Sequence, residues 1–175
     1  MAENSGLRKG ELRNLFRRDV EFESKTLRVA AKRAGTMTVK GHGQLPILAW
    51  TSKSYEKRTV PLPDSTIDVL TRLHAASDGF PCLFFSSDRL AAIAEVVKTK
   101  GKLWPNDELV NNLHRQFDDL QKAARAMLAA ERGMESEDLP WEHGSLHDLR
   151  RTYGTRLSRV VPIHVLKEYM GLSKI

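Results

Sequence analysis

The stretch Ser145-Leu146-His147-Asp148-Leu149-Arg150-Arg151-Thr152 is the part of this sequence that says most about fold and chemistry. We predict that a helix begins here and covers about residues 147–158. His147 and Arg150 are three residues apart, so the imidazole and the guanidinium project from the same side of that helix. A helix N-terminus also offers free backbone N–H groups and a positive dipole end, which favour a bound phosphate. Taken alone, the stretch is also typical of an interfacial histidine beside two surface arginines.

Two further polar clusters lie in the first third of the chain. In Gly6-Leu7-Arg8-Lys9-Gly10-Glu11-Leu12, Arg8 and Glu11 are three residues apart, so on a helix they share a face and orient each other. In the turn Thr51-Ser52-Lys53-Ser54-Tyr55-Glu56-Lys57, a lysine at a hairpin tip reaches a neighbouring groove as a mobile proton donor or phosphate contact. Each cluster by itself is more typical of solvated surface residues.

The composition is that of a globular domain. The chain has 175 residues, of which 41% are hydrophobic and 29% are charged, enough to bury a core. The single cysteine, Cys82, excludes an internal disulfide framework, and no stretch is apolar enough to span a membrane. The first residues lack the pattern of a secretory signal, so we expect a cytoplasmic protein. A net charge of +6 favours a polyanionic partner, the alternative being a basic solvated surface.

The hydrophobic pattern of the N-terminal half predicts one helix followed by short strands. The helix covers about residues 6–16, and the first strand covers residues 26–31. Two more apolar runs, residues 46–51 and 58–62, flank the polar turn 52–57 and predict a hairpin. We therefore expect a small antiparallel sheet near the N-terminus.

The rest of the chain predicts helices. Asp64 begins one, residues 107–130 form the longest, and short helices follow at about residues 147–158 and 162–170, the last capped by Gly171. The apolar positions of the longest helix fall on one face: Leu109, Leu113, Phe117, Leu120, Ala124 and Met127. The predicted fold class is α+β, mostly helical with a small antiparallel sheet.

The order and spacing of four segments carry a family resemblance. They are residues 6–12, the Lys53 hairpin that runs into Arg58-Thr59-Val60-Pro61-Leu62-Pro63, His147–Thr152 and Tyr169–Ser173. Together they resemble the catalytic domain of the tyrosine recombinase (phage integrase) family over nearly the whole chain. The resemblance implies that family's catalytic-domain fold.

The resemblance also implies an activity, site-specific DNA recombination. A tyrosine attacks a backbone phosphate, forms a 3′-phosphotyrosyl link and releases a 5′-hydroxyl, which a second strand then uses to rejoin. No metal or cofactor is implied, and His143 and His147, at i and i+4, lack a third ligand at recognisable spacing. The implied partners are double-stranded DNA and further copies of the protein assembled on it, with no membrane.

The resemblance assigns a role to each matching residue. Arg8 and Arg150 would clamp the non-bridging phosphate oxygens, and Glu11 would support the active site from the helix of Arg8. Lys53 would be the general acid for the leaving 5′-oxygen, with Lys57 in that role if the hairpin register differs. In addition, His147 would handle the proton of the nucleophile or hydrogen-bond the phosphate.

Two departures from the family pattern stand out. Leu172 occupies the position where the family usually has His or Trp, and leucine cannot donate a hydrogen bond to phosphate. The nucleophilic tyrosine normally follows two to three turns later, and we predict that none of Tyr55, Tyr153 and Tyr169 takes its place. Tyr153 is expected in the core. We therefore interpret residues 1–175 as a single catalytic domain, incomplete at both ends and without a core-binding domain.

Three other readings stay open at this point. A type IB topoisomerase shares much of this constellation, although the short hairpin argues against it. A non-catalytic DNA-binding or regulatory remnant of an integrase would explain Leu172 as decayed chemistry. A basic interaction protein unrelated to DNA would require four coincidental motif matches.

Overall fold

In the part of the chain that the structure describes, helices outweigh strands, and a small antiparallel sheet lies near the N-terminus, as predicted. The structure, a computed structural model, describes residues 1–39, 43–47, 49–52, 57–76, 83–84 and 113–172. Its helices are α1 (Ala2–Ser5), α2 (Lys9–Arg13), α3 (Asp64–Ala75), α4 (Leu113–Glu131), α5 (Leu146–Leu157) and α6 (Ile163–Met170). Its strands are β1 (Val20–Glu21), β2 (Thr26–Val29), β3 (Gly35–Val39), β4 (Gly43–Ile47) and β5 (Arg58–Pro61). Across these residues, every helix is too short or too polar to span a membrane.

The strand pairing differs from the predicted hairpin. We expected the runs 46–51 and 58–62 to pair with each other, but β5 pairs with β2, and β4 pairs with β3. The sheet order is β1-β2-β5, with Leu27 opposite Val60 and Val29 opposite Arg58. The side chains of all four are buried, so the pairing aligns the inward face of β2 with the inward face of β5. Residues 53–56, at the tip of the predicted turn, lie outside the described residues.

The predicted first helix over residues 6–16 is shorter in the structure, where α2 covers only Lys9–Arg13. Helix α1 ends at Ser5, Gly6 takes the left-handed conformation with φ 59°, and α2 begins only after Arg8. A Cβ on Gly6 would lie 2.4 Å from Cδ1 of Tyr153, so only glycine allows this turn to pack against α5. The apolar positions expected on one side of the helix are nevertheless all buried: Leu7, Leu12, Leu15 and Phe16.

A second cluster of apolar side chains joins the sheet to the two last helices. Val60 of β5, Tyr153 of α5, and Leu166 and Met170 of α6 form one buried cluster. Tyr153 is therefore a core residue, as predicted. The predicted bounds of α5 and α6 are confirmed to within a residue, and Gly171 ends α6 with φ 59°.

A buried ion pair fixes the base of the β3–β4 hairpin. The side chains of Lys32 and Asp19 are 6% and 7% exposed, and their Nζ and Oδ1 atoms are 2.5 Å apart. The other Asp19 oxygen accepts from the backbone N–H of Phe16 at 2.8 Å. Lys32 also exchanges two backbone hydrogen bonds with Trp50. Residue 50, just before the predicted lysine turn, is thereby attached to the core.

Helix α4 is confirmed over its described residues, but its predicted apolar face is only partly right, because Leu113, Phe117 and Ala124 are half-buried while the other two described positions are exposed. Leu120 and Met127 are 63% and 67% exposed, whereas Gln121 and Ala129 are buried. Gln121 is buried because its side chain exchanges two hydrogen bonds with the backbone of Gly144, at 2.8 and 3.0 Å. These bonds turn the 121–125–129 side of the helix toward the loop that precedes α5. Residues 107–112 lie outside the described part of the chain.

This orientation of α4 predicts that replacing the polar residue Gln121 destabilises the protein more than replacing the apolar residue Met127. Gln121→Ala leaves the Gly144 N–H and C=O without their partners, so we expect a loss of about 1–3 kcal/mol in the free energy of unfolding. Met127→Ala, on the exposed side, should change it by no more than about 0.5 kcal/mol. Urea unfolding of the two variants measures both values. If Met127→Ala proved the more damaging change, the predicted apolar face would be the buried one after all.

Candidate active site

Arg8 and Glu11 form a pair at the start of α2. The backbone N–H of Arg8 donates to Oε2 of Glu11 at 2.7 Å, and Nη1 of Arg8 donates to Oε1 at 3.1 Å. A glutamate at the third helical position satisfies the N–H of the residue before the helix in this way. Glu11 is buried, while 28% of the Arg8 side chain remains exposed. The local helix start therefore holds the Arg8 guanidinium beside Glu11, with part of the Arg8 side chain open to solvent.

Arg58, the first residue of β5, joins this pair. Its Nη1 and Nη2 donate to the two oxygens of Glu11 at 2.9 and 2.7 Å, a two-pronged contact, and both side chains are almost fully buried. The sequence pattern alone predicts no role for Arg58. The available clue was its position two residues before Val60, on the inward side of a strand that alternates buried and exposed residues.

Arg150 approaches the same carboxylate from α5. Its Nη1 donates to the carbonyl of Gly6 and its Nη2 to the carbonyl of Met170, and Nη1 lies 4.0 Å from Oε2 of Glu11. The start of α5 is fixed by Ser145 and Asp148, which cap each other's backbone N–H groups. The hydrogen bonds from Ser145 hold the pKa of Asp148 below its ordinary value. Arg150 is thus placed by a well-defined helix start.

The three arginines also hold the carboxyl end of α6. The last carbonyls of a helix lack intrahelical partners and carry its negative dipole end. Here three consecutive backbone carbonyls each accept a hydrogen bond from one guanidinium: Tyr169 from Arg58, Met170 from Arg150 and Gly171 from Arg8. A Cβ on Gly171 would lie 2.8 Å from Nη1 of Arg58, so the contact requires glycine there.

The charges at this site are unbalanced. Three guanidiniums surround the Glu11 carboxylate, which leaves an excess of two positive charges. Burial lowers the pKa of Arg150 to about 10, and the charges of Arg8 and Arg58 act in the same direction, against Glu11. Burial would raise the pKa of Glu11, but its hydrogen bonds and charge contacts with Arg58 and Arg8 outweigh that and lower it. The arrangement therefore favours binding of a further anion.

Two other predicted site residues are close in sequence to members of this cluster. His147 is exposed on the first turn of α5, one turn before Arg150, and Lys57 is exposed directly before Arg58. Lys53 lies outside the described residues. Leu172 is half-buried and packs against the Val60 cluster. The structure thus brings together Arg8, Glu11 and Arg150.

Two of the three tyrosines, Tyr153 and Tyr169, lie in the described part of the chain. Tyr153 is buried, and burial raises the pKa of its phenol. Tyr169 is half-buried and offers its carbonyl to Arg58, whereas Tyr55 lies outside the described residues. Among the residues that the structure describes, no three His, Cys, Asp or Glu side chains converge to hold a metal ion.

Comparison with known proteins identifies relatives of this chain. The sequence profile of the phage integrase family matches residues 1–175. The chain belongs to the phage integrase family. A tyrosine recombinase XerC-like protein of Caldanaerobacter subterraneus subsp. tengcongensis is 27% identical over 180 residues, which cover 100% of this chain and 41% of that protein.

Solved integrase structures share the fold. The Tn1549 transposon integrase in complex with circular intermediate DNA superposes with a TM-score of 0.59 at 18% identity, covering 99% of this chain and 48% of that one. XerA recombinase gives a TM-score of 0.54 at 17% identity, covering 98% and 46%. The chain therefore spans less than half the length of these relatives. The predicted integrase-like α+β fold is confirmed.

Proposed function

We propose that this chain is the catalytic domain of a site-specific DNA recombinase, which cleaves and rejoins DNA strands through a 3′-phosphotyrosyl intermediate. The observation that carries the proposal is the arrangement of Arg8, Arg58 and Arg150 around the single carboxylate of Glu11, with two positive charges in excess. Membership of the phage integrase family supports it. So do the solved relatives that were captured on transposon DNA.

The proposed chemistry follows from where charge develops. In the transition state, the attacked phosphate gains negative charge on its non-bridging oxygens. Arg8 and Arg150 would stabilise that charge without reorganising, because Glu11 and the carbonyls around them already hold both guanidiniums in place. Arg8 is the more exposed of the two and would meet the phosphate first.

The remaining roles concern protons. His147 would accept the proton of the attacking hydroxyl or hydrogen-bond the phosphate, and its exposed position one turn before Arg150 is compatible with either role. Lys53 would protonate the leaving 5′-oxygen. The tyrosine nucleophile would be supplied beyond Ile175. We further propose that the protein assembles with copies of itself on double-stranded DNA and works in the cytoplasm.

A leaving-group test separates Lys53 from Lys57. In a protein extended past Ile175, Lys53→Ala should slow strand cleavage about 100-fold or more if Lys53 is the general acid, because general-acid catalysis typically contributes that much. A substrate with sulfur in place of the bridging 5′-oxygen should restore the rate, since a thiolate leaves without protonation. Lys57→Ala should cleave both substrates at nearly the wild-type rate. The opposite pattern would assign the role to Lys57.

The chemistry of the cleaved ends tests the proposed reaction. A protein in which this chain is extended past Ile175 is incubated in EDTA with a pool of duplexes, and the broken strands are recovered. We expect 5′-hydroxyl ends and 3′ ends bound to protein. Ends carrying a 5′-phosphate and a free 3′-hydroxyl would indicate hydrolysis and would contradict the proposal.

Leu172 favours a second candidate, a non-catalytic DNA-binding remnant. Its side chain packs against the Val60 cluster at a position where the family usually has a hydrogen-bond donor. In the extended protein, Leu172→His should raise cleavage if the chemistry is only weakened. If neither the extended wild type nor Leu172→His cleaves, while both bind duplex DNA in a salt-dependent manner, the remnant is the better description.

A further inference from the structure

Arg58 has the most buried side chain of the three arginines. Its side chain is 3% exposed, and three of its N–H groups are engaged: two with the oxygens of Glu11 and one with the carbonyl of Tyr169. It is therefore poorly placed to contact a phosphate itself. Any effect that it has on the site must act through Glu11 and the end of α6.

The position of Glu11 decides how much positive charge the site retains. Its Oε1 accepts from Nη1 of Arg8 at 3.1 Å, and its Oε2 is 4.0 Å from Nη1 of Arg150. A small rotation of a free carboxylate would convert that second distance into a direct ion pair. In a buried site such a pair is strong, because the surrounding dielectric constant is low. Glu11 is thus a potential competitor of any phosphate for Arg150.

Arg58 prevents this competition by occupying both carboxylate oxygens. Its planar fork matches the carboxylate, as two parallel hydrogen bonds of 2.9 and 2.7 Å, and fixes the plane of Glu11. We propose that Arg58 is a positioning residue of this anion site, which saturates Glu11 so that Glu11 supports Arg8 without neutralising Arg150. The inference rests on the proposed function, because it assumes that the anion is a phosphate.

Removing Arg58 should therefore weaken anion binding, and removing the charge of Glu11 as well should restore it. The probe is inorganic phosphate, followed in the chain by the side-chain N–H signals of its arginines in NMR titrations. We expect Arg58→Met to bind phosphate at least about tenfold more weakly than wild type. The double variant Arg58→Met/Glu11→Gln regains an excess of two charges and should bind within about threefold of wild type. The matched control is Arg28→Met, an exposed arginine of the neighbouring strand.

The decisive result is whether adding Glu11→Gln to Arg58→Met restores phosphate binding. If Arg58 only held the fold together, the double variant would bind no better than Arg58→Met, and that result would overturn the inference. Wild-type affinity in Arg58→Met would overturn it too. Arg58→Lys keeps the buried charge but cannot occupy both oxygens, so it tests the same point should Arg58→Met fail to fold: its loss should be smaller and again be removed by Glu11→Gln.

The same titrations separate this inference from the proposed function. If the variants follow the expected order but the extended protein never cleaves DNA, the role of Arg58 stands and the recombinase proposal falls. If DNA is cleaved but the double variant does not recover phosphate binding, the reverse holds. If the wild-type chain binds no phosphate, the inference about Arg58 is overturned together with the anion site.

Discussion

Replacing Glu11 by alanine is expected to lower the free energy of unfolding by about 3–5 kcal/mol, the usual cost of removing one partner from a buried ion pair. Glu11 is the carboxylate on which Arg8, Arg58 and Arg150 converge, and Arg58 and Arg150 are nearly fully buried. Without it, two guanidiniums remain in a low-dielectric site with only backbone carbonyls as partners. Urea unfolding with circular dichroism measures the loss.

Glu21→Ala provides the matched control. Glu21 is an exposed glutamate on β1, so its removal should change the free energy of unfolding by no more than about 0.5 kcal/mol. Similar effects of the two substitutions would show that Glu11 does not balance the arginines.

The same carboxylate makes stability depend on pH. Because the pKa of Glu11 is lower in the folded protein than its ordinary value of 4.5, its contribution is fully present above that value. It is lost as the pH falls through the folded pKa. Wild type should therefore lose more stability than Glu11→Gln below pH 4.5. Parallel curves for the two proteins would contradict this assignment.

The second large effect concerns catalysis. In the extended protein, Arg150→Ala is expected to slow strand cleavage about 100- to 1,000-fold, the loss typical of removing one preorganised donor to developing negative charge. Single-turnover cleavage of the duplex that wild type cleaves best measures the rate. Arg150→Lys, which keeps the charge but not the fork, should recover only part of it.

Arg151 supplies a control from the same helix turn. Its side chain is 74% exposed and pairs with Asp148 at 3.4 Å, away from Glu11. Arg151→Ala should keep the cleavage rate within a few-fold of wild type, while salt-dependent DNA affinity falls modestly. Equal losses in the two variants would mean that Arg150 contributes only general positive charge.

The sequence allowed more of the site to be predicted than of the strand pairing. Arg8, Glu11 and Arg150 were identified through the spacing of family motifs, although more than 130 residues separate the first two from the third, and the structure brings them together. Arg58 was missed because its role depends on which strand pairs with β5. The hairpin prediction paired neighbouring apolar runs, whereas β5 pairs with β2, a strand that lies further back in the chain.

The misjudged face of α4 has a similar physical cause. Hydrophobic spacing predicted that Leu120 and Met127 would be buried, but two hydrogen bonds between Gln121 and Gly144 orient the helix differently. Side-chain bonds to distant backbone leave no periodic trace in a sequence. The break at Gly6 likewise depends on the ring of Tyr153, far along the chain.

Transfer of a labelled phosphate from DNA to protein tests the central claim most directly. The extended protein is mixed in EDTA with a random pool of nicked duplexes labelled at the phosphates, so that the released fragment diffuses away and any covalent product accumulates. We expect labelled protein that survives denaturation, contains a phosphotyrosyl bond and is nearly absent from Arg8→Ala and Arg150→Ala. Protein that binds these duplexes yet never acquires the label, or acquires it equally in both arginine variants, would contradict the account.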